Sequence, residues 1–87
     1  MAILKTEFPA NVTCMSFVDG KHVPTTNGTS QDFPLPNGAH VLFWLLTGPA
    51  GSSGKITITD GPTVRVAVEK ARIRADREFG YGERPFA

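Results

Sequence analysis

Apolar and polar residues alternate with a period of two along much of this chain, the pattern of strands that bury one face. Val12 to Val18 reads Val-Thr-Cys-Met-Ser-Phe-Val and is followed by Asp19-Gly20. An Asp-Gly pair between two runs of β-formers predicts a tight hairpin, with the return strand at Lys21 to Thr25. Lys55 to Thr59 alternates cleanly, and Val64, Val66 and Val68 resume the alternation with Arg65 and Ala67 opposite. Val41 to Leu46 differs: Val-Leu-Phe-Trp-Leu-Leu is apolar throughout. It is too short for a typical helix and has the length of a central strand buried on both faces.

Turn formers punctuate these runs. Residues 24–38 contain Pro24, Asn27, Gly28, Ser30, Asp32, Pro34, Pro36, Asn37 and Gly38, which predicts loops around one short strand near Phe33 and Leu35. The glycine-rich stretch 48–54 and Asp60-Gly61-Pro62 predict two further turns. Residues 1–10 contain an apolar cluster ending at Phe8-Pro9 and read as an N-terminal arm or edge strand, because Pro9 has no amide to give to a ladder. Residues 80–87, with Gly80, Gly82 and Pro85, read as an extended C-terminal tail that reaches a neighbour or docks back on the core.

The stretch from 63 to 79 supports more than one element. It lacks Gly, Pro and Asn, and one strand of that length would run roughly 55 Å, beyond the usual range. The apolar parity flips from even (Val64, Val66, Val68) to odd (Ala71, Ile73, Ala75). A β-bulge near Glu69 or Lys70 accounts for the flip. So does a short helix around 69–79, whose residues are mostly good helix formers, and a single helix from Pro62 to Phe79 is the third reading. The expected fold is therefore all-β, one domain over residues 1–87. It is a small antiparallel sandwich or barrel, jelly-roll or immunoglobulin-like, with the helix near 69–79 left open.

Composition narrows the function classes. An 87-residue chain buries only about 60% of its unfolded surface, and its single cysteine, Cys14, allows no internal disulfide. Cys14, His22 and His40 are the only soft metal ligands and none lie at paired spacing, so no metal or other cofactor is expected. A small domain without such braces often gains rigidity from a partner. The formal charge of +1 gives no long-range steering toward nucleic acid. The charge is uneven, −1 over residues 1–60 and +2 over 61–87.

Candidate chemistry is sparse. Cys14 with His22 or His40 lacks any flanking pattern of a reactive thiol, and Cys14 reads as a small hydrophobe on a strand. Asp19 and Asp60 each precede a glycine and read as turn residues whose carboxylates bond nearby backbone. The 48–54 loop departs from the phosphate-loop spacing and leads into a strand. Arg65, Lys70, Arg72, Arg74 and Arg77 form a basic run interleaved with Glu69, Asp76 and Glu78, which suits a protein interface better than a polyanion. No secretion signal and no apolar run of membrane-spanning length are visible, so synthesis in the cytoplasm is expected, and the two N-x-T sequons at Asn11 and Asn27 are read as chance.

The expectation is a non-enzymatic structural or assembly protein, a homo-oligomer or part of a larger assembly. It has no evident small-molecule substrate and no membrane partner. A capsid decoration or cement subunit of a virus or bacteriophage, carried in the virion, is one such assembly. A small inhibitor or adaptor, or a carbohydrate- or nucleic-acid-binding module, are the alternatives. The expected partner-binding residues are Phe8, Arg72, Arg74, Arg77, Tyr81, Arg84 and Phe86.

Overall fold

A computed structural model describes all residues, 1–87. Nine strands follow in order: β1 (Ala2–Glu7), β2 (Thr13–Val18), β3 (Lys21–Val23), β4 (Thr25–Thr26), β5 (Thr29–Ser30), β6 (His40–Thr47), β7 (Ser53–Asp60), β8 (Thr63–Arg72) and β9 (Phe79–Phe86). They form two antiparallel sheets, one of order β4-β5-β1-β7-β8 and one of order β3-β2-β6-β9. The chain is all-β, and the two sheets pack as a small sandwich.

Alternation places the core between the sheets. Leu4, Ile56, Ile58, Val66, Val68 and Ala71 come from the five-stranded sheet, and Val18, Leu42, Trp44 and Leu46 from the other. The two buried hydroxyl residues are tied in. Ser30 Oγ accepts from the Leu4 amide at 2.9 Å and donates to Gln31 O at 2.9 Å, and Ser16 Oγ meets Cys14 Sγ at 3.5 Å. Asp19-Gly20 forms the expected hairpin turn, with φ of 53° and 81°. Asn27-Gly28 repeats those angles and joins β4 to β5, a hairpin hidden by the brevity of its strands.

No helix forms around 69–79; β8 runs to Arg72 and a turn follows. The parity flip is the bulge: Ile56 pairs with Val68 and Gly54 with Ala71, so Glu69 and Lys70 together oppose Lys55. A second irregularity has Ile58 facing Val66 and Thr59 facing Val64, with Arg65 as the extra residue. It turns Val64 out to 59% exposure and draws Arg65 in. The Arg65 guanidinium then donates to Leu35 O and Pro36 O, each at 3.3 Å, and lies 3.6 Å from Asp60. The expected place of Val64 beside Val66 and Val68 is therefore corrected.

The first ten residues depart from expectation, while the last eight take one of the two courses expected of them. Residues 1–10 hold no edge strand, because β1 lies between β5 and β7. Residues 80–87 dock back on the core as most of β9, laid along β6 from Thr47–Phe79 to His40–Phe86. Its glycines are what let it pack. A Cβ at Gly80 would meet Arg72 O at 2.6 Å, and one at Gly82 would meet Trp44 Cε2 at 2.8 Å.

Candidate functional site

β6 was expected to be buried on both faces, and the fold covers only one. Leu42, Trp44 and Leu46 face the core, while Val41 and Leu45 are each 38% exposed and Phe43 is half-buried. Register extends this open face across the sheet. Met15, Leu45 and Tyr81 form one row, Phe17, Phe43 and Glu83 the next, and Thr13, Thr47 and Phe79 the row before. His22 lies beside Phe17 on β3, with ring centroids 5.3 Å apart, and the Phe17 and Phe43 rings are 6.0 Å apart. The outer surface of the four-stranded sheet is thus largely apolar where an antiparallel sheet facing water ordinarily turns polar.

An arginine cluster borders this face. Arg72, Arg74, Arg77, Phe79, Gly80 and Tyr81 line an open groove of about 410 Å³. The turn that carries Arg74 and Arg77 is fixed by backbone bonds to the β6–β7 loop. The Ile73 amide donates to Ser52 O at 2.8 Å, the Gly51 amide to Ile73 O at 3.0 Å, and the Gly48 amide to Glu78 O at 3.1 Å. Ile73 itself is buried and anchors the turn. The Arg77 guanidinium sits 5.6 Å above the centre of the Phe79 ring, and Arg74 lies 3.6 Å from Asp76. Arg72 and Arg77 have no carboxylate partner.

The structure therefore brings together Arg72, Arg74, Arg77 and Tyr81 from the expected set and separates the others. Phe8 is half-buried against the core and lies over Gly54. Phe86 also packs on the core, 5.5 Å from the His40 ring at the far end of β9. Phe86 is held there by the pairing of β9 with β6, and Phe8 by packing just past the end of β1. Arg84 is exposed but sits opposite Leu42, off the outer face and away from the groove. Sequence reasoning missed Met15, Phe17, Val41, Phe43, Leu45 and Phe79. The available signal was the unbroken apolar run of β6, which was read as doubly buried.

Asp19, His40 and Cys14 are occupied locally. His40 Nδ1 is 2.6 Å from Asp19 Oδ2 and its Nε2 is 2.6 Å from Pro36 O, so both ring nitrogens face acceptors. The Asp19 hydrogen bond, reinforced by the Pro36 carbonyl, raises the His40 pKa. The same His40 contact, with the Val41 amide, lowers that of Asp19. Asp19 thus clamps the start of β6, reaching beyond its own turn. Burial raises the Cys14 pKa, and its thiol meets only Ser16. No three His, Cys, Asp or Glu side chains converge as a metal site would require. Comparison with protein-family models, with curated proteins and with solved structures found no match to this chain.

Proposed function

We propose that this protein is a non-enzymatic assembly subunit that associates with other subunits through the outer face of its four-stranded sheet. One observation carries the proposal: β6 is apolar on both sides and the fold covers only one of them. The uncovered side presents Leu45 with Met15, Phe17, Phe43, Phe79 and Tyr81, bordered by arginines, and methionine, aromatic residues and arginine are the types enriched at protein interfaces. A coat of repeated subunits, such as a capsid decoration layer, is an assembly of this kind, and the small size of the domain supports it.

Magnitude limits the strength of each contact. At about 4.8 Å between strands and 3.3 Å per residue, the face spans roughly 350 Å² per copy. A stable interface of standard size uses about 800 Å² per partner. The sheet face alone therefore gives weak association, and the arginine border or repetition in an assembly has to add to it.

Static light scattering over a concentration series tests the proposal. The mass should rise above the 9.4 kDa of one chain. Leu45→Arg should hold it at one chain with the melting temperature unchanged, since Leu45 is already partly in solvent. A wild-type chain that stays monomeric up to about 1 mM, equivalent to less than about 4 kcal/mol of association, would remove the proposal.

A further inference from the structure

We infer that the subunit docked on this face is a second copy of the same chain, related by a two-fold axis running across the strands, with Glu83 of each copy entering the arginine groove of the other. The inference rests on the proposed docking face and specifies its occupant.

Register supplies the argument. On the outer face the rows follow in the order Phe79, Tyr81, Glu83, Pro85 along β9, and Thr47, Leu45, Phe43, Val41 along β6. On β2 they are Thr13, Met15 and Phe17. Rows are about 7 Å apart, two residues of strand. An axis in the plane of the interface, placed between the second and third rows, sets Leu45 against Phe43 of the partner copy and Met15 against its Phe17. Phe79 then meets Pro85, and Tyr81 meets Glu83. Each pair occurs twice, as an isologous contact demands. The two sheets lie with strands near-aligned, the ordinary arrangement for packed sheets.

Charge singles out this axis. Glu83 is the one acidic residue on the outer rows, is exposed, and has no ion-pair partner in its own chain. Its position opposite Tyr81 brings it to the mouth of the groove that Tyr81 lines with Arg72, Arg74 and Arg77. An arginine fork takes a carboxylate with two parallel N–H donors, and Arg72 and Arg77 are without one. The other in-plane axis, along the strands, would set Glu83 over His22 and lay β9 over β3. Because β3 stops at Val23, Phe79 and Tyr81 would then face no strand and the groove would stay unpaired.

A charge-exchange experiment reads the pairing. Glu83→Arg and the double variant Arg72→Glu/Arg77→Glu alter exposed side chains, so both should keep the wild-type circular dichroism and melting temperature. Each alone should weaken self-association roughly tenfold to a hundredfold. An equimolar mixture should restore the dimer, because one contact is then native and the other reversed in sign. Glu83→Gln gives a neutral check and should weaken association less than Glu83→Arg. Association abolished by Leu45→Arg but indifferent to Glu83→Arg, or unrestored in the mixture, would overturn the register while leaving the docking face standing. Loss on His22→Ala with no effect of Arg72→Glu/Arg77→Glu would overturn it in favour of the axis along the strands. A wild-type chain that never associates would remove both readings.

Discussion

The substitution Gly82→Ala adds one methyl group, yet it should be among the most damaging changes outside the core. Gly82 lies opposite Trp44 on the inner side of the β6–β9 pair. A Cβ built there would meet Trp44 Cε2 at 2.8 Å and Cη2 at 3.1 Å, with Cζ2 nearer still. Comfortable carbon contacts fall at about 3.5–4.0 Å, so either the indole or β9 has to move by most of an ångström. Trp44 is only 8% exposed and wedged among the core residues, which leaves the ring little room. Overpacking of this kind costs about 1–3 kcal/mol. Unfolding entropy of about 2.1 cal/mol/K per residue gives roughly 180 cal/mol/K for the chain, so the melting temperature should fall by about 5–16 °C. The protein has one tryptophan, so a red shift of its emission reports the displaced ring directly. Trp44→Phe removes the second ring, and the double variant should then lose less than the two single losses combined. Additivity of the two losses to within about 0.5 kcal/mol would refute the steric argument.

Two further predictions concern the fold. Ser30→Ala leaves the buried Leu4 amide without its 2.9 Å acceptor and should cost about 1–3 kcal/mol, seen as a lower denaturation midpoint and faster exchange of the Leu4 amide; an unchanged exchange rate would count against that bond. The His40–Asp19 clamp should make stability depend on pH in both directions. The raised His40 pKa means its contribution is complete below 6.5 and lost as pH rises through the raised value. The lowered Asp19 pKa means its contribution is present above 3.8 and lost as pH falls through the lowered value. Lys21 on the hairpin favours the Asp19 charge, and Arg65 opposes the His40 charge. Denaturant midpoints should therefore peak in mildly acid solution, and His40→Gln should flatten the fall toward alkaline pH; an equal fall in the variant would show that His40 is not its source.

Local chemistry was legible where cause and effect lie close in sequence. The Asp19-Gly20 turn follows from residue type, and the parity flip between Val68 and Ala71 allowed a bulge near Glu69 or Lys70 as one of its readings, beside a helix. Val64 was misplaced because Arg65 is drawn inward by the Leu35 and Pro36 carbonyls and by Asp60, partners that no local pattern reveals. β9 read as a tail because glycine weakens strand propensity. The reasons for Gly80 and Gly82 are the close approaches of Arg72 and Trp44, which only the packed sheets show. At the candidate site, the arginine run and Tyr81 stood out by type. The inward turn of Phe8 and Phe86 did not, since each depends on which neighbouring strand takes up its face. The apolar outer face was legible as composition, but its exposure depends on what the other sheet leaves uncovered.

The central position of β1 bears on how the chain is made. Its long partner is β7, where Ala2 faces Asp60 and Glu7 faces Lys55, so until β7 is synthesised β1 has only its short contacts with β5 and Phe33 to pair with. The Ala2 and Leu4 side chains lack most of their core in the meantime, soon joined by the greasy β6 segment. A nascent chain in that condition is at its most adhesive just before β7 emerges. Synthesis arrested in that interval should yield aggregates, whereas release after β9 should yield soluble product.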